Sequence, residues 1–280
     1  MIQGAICRAR PRRNPACLES YLMTADAPSM DVIFERATDK AFKARATFEY
    51  QQVRKWAGHR INFDTARVLD FGCGQGVAAA SFALRHPEAR VVGVDVEPVP
   101  EPQLRNLLKT QIGHTIPSNL SYRTISLTPL SSEKFDLIYA WSVFEHIKED
   151  KMVDTFAMLK DHLADNGVLF ISCNPLYFSP HGSHLYKYFK SPWHHLLLTL
   201  DELRDGVVSD GLLSSEAREW QQFLQLNRLT AHDIMGRASA ADLKRLRQHL
   251  SKTDVAPPPR LARLYDNDVL TTTELVATFS

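Results

Sequence analysis

The stretch Val68-Leu69-Asp70-Phe71-Gly72-Cys73-Gly74-Gln75-Gly76, with Val91-Val92-Gly93-Val94-Asp95 after it, decides how this chain is read. Val68, Leu69 and Phe71 make a short apolar strand. Gly72, Gly74 and Gly76 then allow a tight turn that a ligand can approach where any Cβ would collide. The helix expected over Val77 to Leu84 directs unpaired backbone N–H groups at that ligand. Asp95 closes the second strand nineteen residues after Gly76, where an acid accepts both hydroxyls of a ribose. The unit reads as a nucleotide-binding half.

The glycine spacing selects among nucleotide-like ligands. A dinucleotide fingerprint, G-x-G-x-x-G, would place its third glycine at position 77, where Val77 stands; here the pattern is G-x-G-x-G and ends at Gly76. Further along, Phe135 to Ala140 (FDLIYA) is an apolar strand, and Trp141 to His146 leave it at the ligand end of the sheet. Asp150 to Leu163 then carries Met152, Val153, Phe156, Leu159 and Leu163 at the spacing of a helix with one buried stripe. Asp165-Asn166-Gly167 ends it, and Val168 to Ser172 is a fifth strand.

With Asp70 two residues before Gly72, the glycine turn resembles motif I of the class I S-adenosylmethionine-dependent methyltransferases, and FDLIYAWSVFEHI resembles their motif IV. The resemblance covers about residues 60 to 175. It implies an α/β fold, a Rossmann-like doubly wound sheet of seven strands with the last antiparallel, and S-adenosylmethionine as cofactor. On that resemblance Gly72, Gly74 and Gly76 pack against the methionine and ribose, Asp95 holds the ribose, and Asp70 orients the turn and the methionine amino group. Ala140 and Trp141 line the methionyl end, and Ser126, near the end of the third strand, faces the adenine where the family often carries Asp.

The rest of the chain is organised around that core. Residues 1 to 30, with Arg8, Arg10, Arg12 and Arg13 and no sustained periodicity, read as a flexible arm, and 34 to 57 look helical; the resemblance implies that such a helix precedes motif I and closes over the cofactor. The core is expected over 31–175, and residues 176–255 as a helical cap inserted after strand five, with amphipathic helices over Glu216 to Leu226 and Ala241 to Leu250. Residues 256–280 are expected to complete the sheet with a strand pair, Arg260 to Tyr265 and Glu274 to Phe279, after the stiff Pro257-Pro258-Pro259. Asn174-Pro175-Leu176-Tyr177 resembles the N-P-P-Y motif of amino-methyltransferases. It follows the fifth strand rather than the fourth and lacks the second proline, so it reads as the exit to the cap.

Composition is that of a soluble enzyme. With 33 basic and 32 acidic residues the net charge is +1, which supplies no electrostatic reason to expect nucleic acid. Four cysteines in 280 residues suit reduced thiols and a cytoplasmic setting, and no apolar run approaches the ~18 residues of a membrane span.

The segment Ser179 to His195 is dense in aromatics and histidine and leaves strand five at the edge where α/β ligands bind. A hydroxyl acceptor needs a base, and histidine suits that near neutral pH, so His181 and His184 are the catalytic candidates with His146 third. Glu145-His146 reads as a pair that caps a helix start beside the cofactor. Zinc held by His181, His184, His194 and His195 is weighed and set aside, because Pro180 and Gly182 favour a loop; no metal is expected. The acceptor expected is a small molecule, first a glycan or other hydroxylated metabolite. A quinone or lipid precursor is the alternative, and a non-catalytic partner protein with a methyltransferase fold is the alternative of another class.

Overall fold

A computed structural model describes residues 28–125, 130, 132–208 and 218–280. Ser126 and most of the expected N-terminal arm lie outside the described residues. The sheet grows outward from the glycine strand, β1 (Arg67–Phe71), which is flanked by β2 (Arg90–Asp95) and β4 (Phe135–Trp141). With β3 (Leu120–Thr124), β5 (Leu163–Cys173), β6 (Arg245–Lys252) and β7 (Thr272–Phe279), the order is β3-β2-β1-β4-β5-β7-β6. β7 runs antiparallel to both neighbours and the other described pairings are parallel. The connection from β1 goes to β2 on one side while β4 lies on the other. Such a topological switch opens a crevice at the carboxyl ends of the strands.

Period-2 alternation gives each central strand two buried faces. Val68, Leu137, Tyr139 and Phe170 point to one layer, which α2 (Tyr50–Ala57), α3 (Val77–Arg85) and α4 (Glu101–Ile112) cover. Leu69, Ile138, Leu169 and Ile171 point to the other, covered by α5 (Met152–Asp161) and α8 (Ala231–Ala240). α1 (Met30–Glu35), the turn Lys40–Lys43, a π-helical turn Ala44–Glu49 and α2 replace the single helix expected over 34 to 57.

The cap has a small core of its own, in which Tyr177 and Leu185 meet Leu203 and Val207 of α6 (Leu200–Val208) and Phe223 of α7 (Arg218–Gln225). Trp193 anchors the cap to the C-terminal segment: it packs with Leu261 and Leu270, and its Nε1–H donates to the carbonyls of Phe178 at 3.0 Å and Leu270 at 3.3 Å. Among the described residues no helix is long and apolar enough to cross a membrane.

Further expectations are corrected. Ala241 to Leu250 is not a helix, because its second half is the edge strand β6; Leu246 and Leu250 sit four residues apart, a helical spacing, but β6 is hydrogen-bonded on one side only and keeps little buried surface. The cap insertion therefore ends before residue 245 rather than at 255. Arg260 to Tyr265 is not a strand, since Pro259 begins a helical turn Pro259–Ala262, and the pair completing the sheet is β6 and β7. Asp165-Asn166-Gly167 lies within β5: pairing jumps from Phe135–Leu163 to Leu137–Val168, so these residues bulge out of the ladder.

Candidate active site

The turn after β1 has the geometry its glycines permit. Gly72, Gly74 and Gly76 stand at φ +78°, +52° and +78°. The N–H groups of Gly72 and Cys73 donate to the Val94 carbonyl at 2.8 and 3.0 Å, tying the turn to β2. A Cβ at Gly72 would fall 2.3 Å from Val143, and one at Gly76 would fall 2.7 Å from the Tyr122 hydroxyl, whose O–H donates to the Gly76 carbonyl at 2.7 Å. A Cβ at Gly74 would meet nothing within 4 Å, so the middle of the turn faces open space. α3 follows Gly76 without a side-chain cap from that residue, and the Asp70 carboxylate accepts from the Ala79 N–H in its first turn, which ties the acid to the helix start beside the glycine turn.

Asp95 closes this arrangement. One carboxylate oxygen accepts from the Gly74 N–H at 2.8 Å and the other from the Glu97 N–H at 3.1 Å. Each oxygen keeps a second lone pair for an incoming hydroxyl. Asp70 pairs with Gly93 and Tyr139 across the sheet and is 3% exposed, with its Oδ2 unpartnered. Burial pushes its carboxyl up to about 7, against the pull of the Tyr139 hydroxyl and the Arg45 guanidinium. Glu49, 8% exposed on the π-helical turn, is pushed up to about 8 by burial, opposed by Arg45 and reinforced by Asp70. These two buried carboxyls, offset only by the exposed Arg45, suit a ligand that brings positive charge, as the ammonium and sulfonium of S-adenosylmethionine do. Ala140 is fully buried, and Trp141 stacks on Phe170 at 6.0 Å and meets the edge of Phe48, which is 52% exposed, at 5.7 Å.

The ends of β4 and β5 are tied together. The Ser142 N–H donates to the Ser172 carbonyl at 2.8 Å, and the Ser142 hydroxyl to the Asn174 carbonyl at 3.1 Å. Beyond Asn174 opens a cavity of about 500 Å³ lined by Asn174, Pro175, Ser179, Pro180, His181, Tyr186, Phe189, Lys190 and Thr273. Another, of about 480 Å³, lies near Tyr50, Arg54, Asp64 and His86, where α3 ends and β1 has not begun, away from the glycine turn.

The structure divides the candidate histidines. His181 is exposed on the wall of the 500 Å³ cavity. His184, at φ +60°, turns instead toward His146, ring centroids 5.4 Å apart and planes perpendicular. Burial lowers His146 to about 4, with His184 adding to it, and burial lowers His184 against the Pro175 carbonyl 3.4 Å from its Nε2. Both rings are neutral at pH 7. His194 and His195 are spent inside the cap: His194 Nε2 lies 2.7 Å from the Ser183 hydroxyl and His195 Nε2 lies 2.6 Å from the Tyr177 carbonyl. Among the described residues no three His, Cys, Asp or Glu side chains are placed to hold a metal.

Glu145 departs from its expected capping role. It sits in the 3₁₀ turn Phe144–His146, caps nothing, and is 2% exposed. Burial pushes it up to about 8. Glu49, Phe48 and Tyr122 were not singled out from sequence, and each gains its place only when the N-terminal helices or β3 fold onto the turn.

These buried groups set a pH dependence. Glu49, Glu145 and Asp70 hold their protons more tightly than in the unfolded chain, so their contribution to stability is complete below about pH 4 and is lost as pH rises through 7 to 8. His146 and His195, both lowered to about 4, act in the opposite sense, and their contribution is lost as pH falls from 6.5 toward 4. The melting temperature of the ligand-free protein should therefore drop by several degrees between about pH 6.5 and 8.5. Glu145→Gln should flatten that fall; an unchanged slope would mean that Glu145 ionises without cost.

Comparison with known proteins agrees with this geometry. Residues 42–249 match the family model of a methyltransferase domain. An uncharacterized protein of Rickettsia prowazekii is 31% identical over 115 residues, 40% of this chain and 44% of that protein. The ubiquinone biosynthesis O-methyltransferase of Pseudomonas fluorescens is 27% identical over 135 residues, 46% of this chain and 54% of that one. The trans-aconitate 2-methyltransferase of Rhodopseudomonas palustris is 29% identical over 152 residues, 53% and 54% of the two chains. The chain thus spans about half the length of the curated relatives it matches. Among solved structures, a chain of the complex containing the Haloferax volcanii Trm112 methyltransferase activator superposes with a TM-score of 0.50 at 13% identity, covering 89% of this chain and 97% of that one, a likeness of fold. With the match over residues 42–249 added to the glycine turn, Asp95 and the switch-point crevice, the chain belongs to the Rossmann-like S-adenosylmethionine-dependent methyltransferases.

Proposed function

We propose that this chain methylates a hydroxyl oxygen of a small molecule held between the glycine turn and the cap. The observation that supports it is the 500 Å³ cavity at the carboxyl end of β5, joined to the end of β4 by the Ser142–Asn174 hydrogen bond. Bound S-adenosylmethionine supplies a methyl group already activated on a sulfonium. The protein then has to align the acceptor, exclude water and receive one proton.

Asp95 and the N–H groups at the start of α3 bind the donor, while Asp70 and Glu49 face its cationic end. Trp141 and Phe48 cover the mouth. His184 takes the acceptor's proton as the acceptor oxygen bonds to the methyl carbon and the carbon–sulfur bond breaks. With a proton on Nε2 toward the Pro175 carbonyl, its Nδ1 keeps a free lone pair. His181 binds the acceptor at the cavity wall. The apolar share of that wall, from Pro175, Pro180, Tyr186 and Phe189, favours an aromatic or lipid-like acceptor over a glycan.

Calorimetry with S-adenosylmethionine, S-adenosylhomocysteine and NAD tests the donor site. The first two should bind and NAD should bind at least tenfold more weakly, because the turn closes at Gly76 and Val77 stands where the dinucleotide fingerprint has its third glycine, the one that lets helix and strand pack closely. Tighter NAD binding would overturn the reading.

A further inference from the structure

The cavity beneath the cap has a definite chemical polarity. Tyr186 and Phe189 form its aromatic side and Pro175 and Pro180 face it with apolar rings. Tyr186 is 61% exposed, an expense of apolar surface that an occupant would relieve. Phe189 is backed on one side by His194, stacked at 4.7 Å with planes 15° apart. The tip of its ring abuts Gly206 of α6, where a Cβ would fall 2.3 Å from Cζ. Its ring is therefore a fixed wall rather than a mobile flap.

The nine lining residues include one ammonium, that of Lys190, and no carboxylate. The Lys190 ammonium donates to the Tyr186 carbonyl at 3.0 Å, and among the described residues no carboxylate forms an ion pair with it. Two of its three N–H donors are left for a ligand.

On the reading that this cavity holds the acceptor, we propose that the acceptor is a hydroxylated aromatic acid, its ring against Phe189 and Tyr186 and its carboxylate on Lys190. One ammonium on a wall without a carboxylate matches one negative charge; a phosphate dianion would leave half its charge unmatched. A neutral sugar would bury the apolar wall against hydroxyls and leave Lys190 without a partner.

The test separates binding from chemistry. The protein is first loaded with S-adenosylhomocysteine, then titrated calorimetrically with 3,4-dihydroxybenzoate, with its uncharged amide and with methyl β-glucoside. The acid should bind at least tenfold more tightly than the amide and the glucoside. Lys190→Gln should shrink the acid–amide difference to about twofold, and Lys190→Glu should reverse it. Lys187→Gln, whose ammonium lies over the Tyr188 ring, is the control and should preserve the difference. Equal binding of acid and amide, preference for the glucoside, or no binding by any probe to the loaded protein overturns the proposal. Failure to load with S-adenosylhomocysteine would instead overturn the donor site itself.

Discussion

His184→Ala is expected to lower kcat by roughly 10²–10⁴-fold while the affinity for S-adenosylhomocysteine stays unchanged. The magnitude is that of a positioned general base whose removal leaves alignment intact. His184 stands beside the acceptor cavity rather than on its wall: its ring is half-buried between His146 and the Pro175 carbonyl, and Pro175 lines the cavity. It also has the protonation state: burial lowers its affinity for protons, so its free nitrogen is available throughout the neutral range, and the acid limb of kcat/KM should fall below pH 6.5. His181→Ala should act differently, raising KM for the acceptor with little change in kcat, since that ring is exposed at the wall. The assignment fails if His181→Ala removes turnover and His184→Ala spares it, in which case the two histidines exchange roles. Circular dichroism of both variants checks the fold, and it matters for His184 because a non-glycine residue at φ +60° is held there by its surroundings.

The contrast between those two histidines marks the limit of what the sequence carries. Their chemistry was legible, as was their place after the fifth strand, but their orientation was not. Gly182, whose added Cβ would fall 2.0 Å from the Tyr177 carbonyl, and the αL backbone of His184 turn one ring toward the sheet and leave the other at the wall. That choice depends on close packing between segments that sequence spacing does not encode.

The glycine turn was legible because its causes are local. Residues 68 to 76 alternate and punctuate in a way that only strand, turn and helix satisfy, and Asp95 follows at a fixed distance. β6 was illegible for the opposite reason. An edge strand keeps one ladder of hydrogen bonds and little buried face, so Arg245 to Lys252 carries no period-2 pattern, and its two leucines imitate a helix. A signal for the true helix was present nearby: Thr230 and Asp233 form a capping box, each side chain accepting from the other's backbone N–H, which starts α8 at Ala231. That box marks a helix over Ala231–Ala240, which ends before the strand Arg245–Lys252.

The buried carboxyls were missed for a third reason. Glu49 lies in a stretch whose apolar spacing reads as one helix, and the π-helical turn re-aims it toward Asp70. Glu145 reads as a cap because acids commonly stand at helix starts, yet it lies in a 3₁₀ turn buried against the end of β5, where the Asn174 N–H and the Ser142 hydroxyl only partly offset its burial. Both errors come from tertiary contact overriding a sound local rule.

Asp95→Ala should weaken donor binding roughly ten- to hundredfold, the scale of about 1.5–3 kcal/mol for hydrogen bonds to a charged group. Two losses add in this variant. The ribose hydroxyls lose their acceptor, and the Gly74 N–H loses the carboxylate oxygen that holds it at 2.8 Å, so the one glycine of the turn that faces open space is no longer fixed. Asp95→Asn separates them, since its amide oxygen can still accept from Gly74 while the charge is gone. The order of affinity should be wild type, then Asn, then Ala. Because Asp95 is a half-buried residue at the end of a strand and outside the apolar core, the melting temperature of the ligand-free protein should change little. A dissociation constant for S-adenosylhomocysteine unchanged in the Ala variant, with a normal circular dichroism spectrum, would show that the ribose is held elsewhere and that Asp95 serves only to brace the turn.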